Sequence, residues 1–451
     1  SINYAVNKAG GNLQDLAIVG PNFSSRIRGL YFTDLFGLEV TNLTTDFSYS
    51  TSAMHFKDTR LQTQKTDIKG DIDFTYTRED LKDFNDKVNI NARFSRSKVA
   101  VQDINKFYNE LSGNDILDFQ GNLNGPLNNF NLSKFKLSSR SGIKVQGNLT
   151  FVNSIAKERG FIFDGNLTNL TATYIDLKNI LPNVLGKNLP TEFDKFGKFT
   201  LKGIVRVTPD EMQATIKVNS EIGSSIADLQ ITNIGDIDYA KYDGEIELNN
   251  FNLGYFFNDP LFGNVSLKGD VNGSGFKLDN IITSFIGEVS DFQFKNYSYK
   301  NIAVNGQYQN NKFDGDLIIN DDNFKMNFKG LADLSSAIHK FDFMSDITYL
   351  NLKETNLFVR DSIAELKGKI ELDIEGNTFD DIIGNAIFKD IFYTNQKKEF
   401  SFKEFKVSSS LKDSIKRIDV DSKDITNGYI TGNFTFSELS KVAQNALGSI
   451  Y

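Results

Sequence analysis

The sequence predicts an all-β chain with a few short helices, and three observations carry that prediction. Apolar and polar residues alternate with a period of two through most of the 451 residues, the pattern of strands with one buried face. Asx-Gly pairs punctuate the chain at Asn124-Gly125, Asp164-Gly165, Asp243-Gly244, Asn272-Gly273, Asn305-Gly306, Asp314-Gly315 and Asn427-Gly428. Several read as hairpin turns and the others as glycines at a bulge or bend. Helical periodicity is confined to residues 103–113, 175–185 and 437–448, the second interrupted by Pro182. Residues 353–358 read as a turn.

The alternation names the apolar faces. Ile72, Phe74 and Tyr76 share one side of a strand whose other side carries Asp71, Asp73 and Thr75. Phe151 belongs with Val145 and Leu149, opposite Gln146, Asn148 and Thr150. Ile246 and Leu248 oppose Glu245, Glu247 and Asn249, and Phe324, Met326 and Phe328 oppose Lys325 and Asn327. Ile370, Leu372 and Ile374 oppose Glu371, Asp373 and Glu375; Ile430, Phe434 and Phe436 oppose Thr431, Asn433 and Thr435. Aromatic and β-branched residues suit such pleated, one-sided surfaces.

Composition bounds the chemistry. The absence of cysteine excludes disulfides, thiolate metal sites and thiol catalysis. The only histidines, His55 and His339, stand far apart without an HExxH frame, and each reads as an ordinary strand or loop residue. A net charge of −8 argues against a nucleic-acid surface, which needs a basic stripe. The Asp-x-Asp pairs Asp71/Asp73, Asp236/Asp238 and Asp419/Asp421 read as solvated strand faces, since i and i+2 share a side. Gly269 to Gly275 reads as a turn, not a phosphate loop, and Asp321-Asp322-Asn323 as a turn. No nucleophile, base and oxyanion site can be assembled, so the expectation is a protein that is not an enzyme and carries no cofactor or metal.

No window approaches 18 consecutive apolar residues, and the first residues lack a signal-peptide pattern. The chain therefore reads as an interior piece of a longer protein. Its weakest joint is the Pro- and Gly-containing stretch 181–190, which suggests a β segment over 1–180 and a second over 181–451 that continues the same sheet and ends in a short helix. So many one-sided strands must bury their apolar faces. Three solutions fit the pattern: a series of closed β-sandwiches, a sheet folded into an open trough, or an outer-membrane β-barrel. The missing Trp girdles and the short alternations count against the barrel.

Residues 160–448 resemble the TamB family, the envelope-spanning component of the translocation and assembly module, in its Bacteroidota-like form. The resemblance rests on Asp176-Leu-Lys-Asn-Ile-Leu-Pro182, Phe196-Gly-Lys-Phe-Thr-Leu-Lys-Gly203, Tyr242-Asp-Gly-Glu-Ile-Glu-Leu248 and Phe251-Asn-Leu-Gly254. It continues through Gly269-Asp-Val-Asn-Gly-Ser-Gly-Phe276, Tyr297-Ser-Tyr-Lys-Asn-Ile302, Phe313-Asp-Gly-Asp-Leu317, Phe328-Lys-Gly-Leu-Ala-Asp-Leu334 and Phe341-Asp-Phe343. Asp424-Ile-Thr-Asn-Gly428 and Gly432-Asn-Phe-Thr-Phe436 close it; residues 1–159 share the texture less distinctly.

The resemblance implies an AsmA-like, bridge-type lipid carrier: a long curled antiparallel sheet forming a taco-like hydrophobic groove. It implies a periplasmic location between inner and outer membrane, phospholipids as cargo, and a part in outer-membrane protein assembly. It also implies a TamA-like or BamA-like barrel partner and an inner-membrane anchor, both engaged through parts outside this chain. The candidate groove lining is Ile72, Phe74, Tyr76, Phe151, Ile246, Leu248, Phe324, Met326, Phe328, Ile370, Leu372, Ile374, Phe434 and Phe436. On this reading Met326→Asp or Leu372→Asp blocks transport without unfolding the chain. Two other classes stay open: a structural or chaperone module that adds strands to barrel precursors by β-augmentation, and an outer-membrane barrel.

Overall fold

A computed structural model describes residues 6–107, 111, 113–180, 191–276, 280–378 and 380–435. The fold is all-β. The 25 strands among the described residues are assigned to one antiparallel sheet that is not closed into a barrel. The chain divides into two compact units, Ser1–Tyr242 and Asp243–Tyr451.

The first unit holds β1 (Asn7–Val19), β2 (Asn22–Thr33), β3 (Glu39–Tyr49), β4 (Ala53–Gln62), β5 (Asp67–Thr75), β6 (Asn89–Ala100) and β7 (Ile116–Gly125). It continues with β8 (Asn129–Ser139), β9 (Lys144–Val152), β10 (Ile162–Ala172), β11 (Phe199–Val207), β12 (Glu211–Ser220) and β13 (Gly223–Thr232). Each strand pairs antiparallel with the next.

In the second unit β14 (Lys241–Asn252), which begins at the unit boundary, is followed by β15 (Phe262–Ser274), β16 (Ile282–Phe294), β17 (Tyr297–Gln309), β18 (Lys312–Asn320) and β19 (Phe324–Asp333). Then come β20 (Lys340–Asn351), β21 (Ala364–Glu375), β22 (Ile383–Asn395), β23 (Glu399–Lys412), β24 (Ile415–Asp421) and β25 (Asn427–Gly432). From β15 onward this is again a meander of sequential antiparallel pairs.

The tight hairpins are not made by Asx-Gly. Lys295-Asn296, Asn310-Asn311 and Asp413-Ser414 form two-residue loops with φ of 49° and 62°, 46° and 60°, and 50° and 65°. Positive φ at both positions is the type I′ geometry that matches strand twist, and Asn and Asp, which tolerate it, fill four of the six positions. Gly165, Gly244, Gly273, Gly306 and Gly315 instead lie inside β10, β14, β15, β17 and β18, while Gly125 ends β7 and Gly428 lies in β25. The segment from Gly269, read as a turn, is likewise strand interior as far as Ser274.

The helical expectations are met in part. A single turn, Val101–Ile104, overlaps only the start of 103–113. Tyr174–Ile180 opens the 175–185 stretch, whose remainder lies outside the described residues, as does all of 437–448. Residues 352–356 form a turn, and Asp321-Asp322-Asn323 turns between β18 and β19. Among the described residues no helix exceeds seven residues, and none is long and apolar enough to cross a membrane.

Bulges shape the strands. At Asp58, Lys134 and Asn250 the backbone adopts positive φ within or between paired segments. The amide freed there is taken up by a side chain of the neighbouring strand: Asp71 Oδ1 at 3.0 Å, Asn148 Oδ1 at 3.0 Å and Ser266 Oγ at 2.9 Å. The amide that leaves the ladder at each bulge is thereby satisfied.

Candidate functional site

The pairing registers place the apolar alternation in continuous cross-strand rows. In the first unit Ser25, Phe47, Phe56, Ile72, Ala92 and Leu123 oppose one another in succession from β2 to β7. The row continues through Leu132, Leu149, Gly165, Val205, Ala214 and Leu229 to β13. One residue along each strand, the facing row is polar throughout: Ser24, Ser48, His55, Asp73, Asn91 and Asn124, then Asn131, Thr150, Asp164, Arg206, Gln213 and Gln230. One-residue displacement in a strand means the opposite side of the sheet.

The second unit repeats the arrangement. One row runs Gly287, Val304, Leu317, Phe328, Ser345, Ile370, Phe388 and Phe405 from β16 to β23. Beside it, two residues along, run Phe285, Gly306, Gly315, Gly330, Phe343, Leu372, Ala386, Val407 and Val420. The Phe313 ring lies over Gly306, and Phe313, Phe328 and Phe343 follow one another in tilted contact, with ring centroids 6.2 and 5.0 Å apart. The other side carries ion pairs such as Lys329–Asp316 at 3.3 Å and Lys389–Glu371 at 2.6 Å. Ile286, Ile318 and Met344 are exposed on that side.

The predicted lining residues divide into groups. Ile72 and Phe74 sit half-buried on the apolar face, Phe74 in a ladder of rings with Phe56 and Phe84. Phe151 stacks on Phe130 at 4.9 Å and meets Phe163 in a tilted contact at 5.3 Å. Tyr76 lies just past β5, buried, its hydroxyl donating to the Ser50 carbonyl at 3.1 Å. Ile246 and Leu248 are half-buried in β14. Phe328, Ile370, Leu372 and Ile374 share the apolar face of the second unit.

Phe324 is different: at 9% exposure it belongs to a packed cluster with Tyr299, Ile302, Ile319, Ile347 and Leu350, against which Met326 and Ile370 also lean. Phe434 follows β25 outside any strand, beside Lys416, and Phe436 lies outside the described residues. Phe343, Phe388, Phe405, Leu132 and Phe163 share these rows without being among the predicted lining residues, although the same alternation contains them.

In each unit a buried cluster closes part of the apolar face. In the first, Ile143, Ala172 and Phe199 pack with Leu177 and Phe196 from the two short helices Tyr174–Ile180 and Thr191–Phe196. In the second, the turn after β20 folds over the cluster. The Tyr299 hydroxyl donates to the Thr355 carbonyl at 2.9 Å, and Asn356 Nδ2 reaches the Lys295 carbonyl at 3.0 Å. Tyr297 donates to the buried Asp321, which also accepts the Lys300 amide at 3.0 Å. Burial, reinforced by Asp321, pushes the Tyr297 phenol up to about 12; burial first and the nearby Asp321 charge second push Tyr299 up to about 12.

The charged side is laced with cross-strand ion pairs and hydrogen bonds. Asp71 accepts the Asp58 amide and a 2.9 Å bond from Arg93, and the amide holds its carboxyl below the usual range, with Arg93 adding to the effect. Arg60 clamps Asp67 through Nε and a terminal nitrogen at 2.8 and 2.9 Å, lowering its pKa. Ser48, His55 and Asp73 lie in register across β3, β4 and β5, and His55 Nδ1 meets Asp73 at 2.6 Å. Asp73 also takes Lys57 at 2.8 Å, and no hydrogen bond links Ser48 to His55. Among the described residues no three His, Asp or Glu side chains gather as a metal site. Comparison with protein-family models, with curated proteins and with solved structures returns no match.

Proposed function

We propose that this chain is a stretch of a bridge-type lipid carrier whose apolar sheet face receives acyl chains, as its resemblance to the TamB family implies. The observation that supports the reading most is the pair of unbroken rows: apolar or glycine at nearly every strand on one side, and polar in the facing row of the first unit. Among the described residues no helix longer than seven residues lies over either face. A buried CH₂ is worth about 0.8 kcal/mol, so each acyl chain gains from such a surface and resists leaving it for water. A polar headgroup remains in solvent. The surface makes few directional demands, so it tolerates many lipids and is sensitive to a charge placed on it. The periplasm, phospholipid cargo and an outer-membrane barrel partner complete this proposal. Lipid extraction and mass spectrometry of the purified chain tests it: retained phospholipid is expected, and a lipid-free chain that also takes up none from vesicles contradicts it.

A second reading is favoured by β1. This strand pairs only with β2 among the described residues, and Leu13, Leu16, Ile18 and Val19 are 54–72% exposed on it. An apolar edge of this kind is suited to receiving another strand. Crosslinks from β1 to unfolded barrel segments, without lipid on the sheet, would favour the chaperone role.

A further inference from the structure

The polar side of the first unit carries one constellation that the lipid-carrier reading does not use. Ala17, Ser24, Ser48, His55 and Asp73 follow one another in register from β1 to β5. Ser24, Ser48, His55 and Asp73 are half-buried. His55 Nδ1 meets Asp73 Oδ1 at 2.6 Å, and Lys57 Nζ donates to the other carboxylate oxygen at 2.8 Å. The carboxylate holds the proton on Nδ1 and leaves Nε2 as the basic nitrogen of the ring. Ser48 is the in-register neighbour of His55 on the side away from Asp73. A cleft of about 280 Å³ opens at this place, lined by Ala17, Val19, Asn22, Ser24, Ser48 and His55. The chain's other histidine, His339, lies in the β19–β20 connection.

We propose that Ser48, His55 and Asp73 form a hydrolytic site for esters of short carboxylic acids, with Ser48 as nucleophile, His55 as its base and Asp73 as the carboxylate that orients the ring. The site lies on the side of the sheet opposite Ile72 and Phe74 and stands independently of the lipid-carrier reading. A His–Asp surface pair alone needs neither a serine in register beside it nor a cleft that both residues line. In the first step the Ser48 hydroxyl proton passes to His55 Nε2 as Oγ bonds to the ester carbonyl carbon. The Ser24 hydroxyl and the Asn22 amide line the same cleft and supply donors for the resulting oxyanion. The adduct collapses by breaking the bond to the alkoxy oxygen, and the departing alcohol takes the proton from His55. Water then attacks the acyl-Ser48 by the same relay, releasing the carboxylic acid and free Ser48. Ser48 and His55 are not hydrogen-bonded in this structure; bonds between nucleophile and base often tighten only once substrate is seated. The cleft is at the small end of ligand sites, which selects short acyl groups, and Ala17 and Val19 give them an apolar wall. These residues stand on separate strands, and only the pairing register brings them into one row.

The test treats the full chain with a biotin-tagged fluorophosphonate, maps adducts by peptide mass spectrometry, and follows p-nitrophenyl acetate turnover alongside. A phosphonyl adduct is expected on the peptide containing Ser48, with loss of fluoride, and Ser48→Ala should abolish both the adduct and the turnover. His55→Gln keeps a polar side chain against Asp73 and should slow labelling of Ser48 by about 10²–10⁴-fold; circular dichroism checks that both variants are folded. Absence of any adduct, adducts on other serines in place of Ser48, turnover that survives Ser48→Ala, or labelling that His55→Gln leaves unchanged would each overturn the proposal. Lipid retention by Ser48→Ala should equal that of the parent chain, so failure here leaves the lipid reading standing.

Discussion

Gly306 and Gly315 face each other across β17 and β18, and the Phe313 ring occupies the space above Gly306 where a side chain would begin. A Cβ on Gly306 would stand 2.7 Å from that ring, and one on Gly315 2.4 Å from the Gly306 Cα. The Phe313 ring thus lies over bare backbone and fills the space that a side chain at Gly306 would take.

Gly306→Val should therefore destabilise the second unit by about 1–3 kcal/mol through overpacking. Gly428→Ala, where nothing lies within 4 Å of the new Cβ, should cost less than about 0.5 kcal/mol. Urea unfolding of both variants makes the comparison; equal effects would show that the ring seat is unimportant.

Phe324 and Leu372 should separate stability from binding. Phe324→Ala opens a cavity in a closed cluster and should cost about 3–5 kcal/mol. Leu372→Asp places a charge on the half-buried row opposite Phe343, and should abolish lipid retention while the chain stays folded by circular dichroism. Met326 leans on the same cluster as Phe324, so Met326→Asp should lower both stability and retention.

The tyrosines at the sealed rim predict an alkaline transition. Their folded pKa values of about 12 exceed the unfolded value of about 10. The stability they contribute is present below pH ~10 and is lost as pH rises toward ~12. Tyrosinate absorbance should rise in step with unfolding of this rim, and Tyr299→Phe should reduce the late-titrating fraction.

The carboxylates of the charged side predict the acid limit. Asp67, held below its usual range first by Arg60, and Asp71, held there first by the Asp58 amide, contribute stability above pH ~4 that is lost as pH falls further. Asp67→Asn should make acid unfolding of the first unit shallower, read by circular dichroism against pH.

Much of this was legible in the sequence because strand faces obey a period of two, and that pattern identified Ile72, Phe74, Phe328 and Leu372 correctly as companions on apolar faces. Of the two meanings that Asx-Gly carries in the sequence, the glycine within a strand holds and the hairpin turn does not: strands carry Asx-Gly where rings cross bare backbone, while Lys295-Asn296 and Asn310-Asn311 make the turns. Bulges break the period: Tyr299 and Ile302 are both buried although three positions apart, with Lys300 and Asn301 exposed between them. Phe324 reads like Phe328 in sequence; only the return of residues 351–356 over it, a contact between distant segments, turns it into core. Phe434 continues the alternation past the point where β25 ends.

The central claim concerns which side of the sheet meets acyl chains, and the absence of tryptophan allows a direct measurement. Phe343→Trp and Met344→Trp place a single indole on the apolar and the charged side of the same strand. Quenching by phospholipids brominated on their acyl chains should be strong for Phe343→Trp and absent for Met344→Trp. Equal quenching at both positions, or none at Phe343→Trp, would contradict the account.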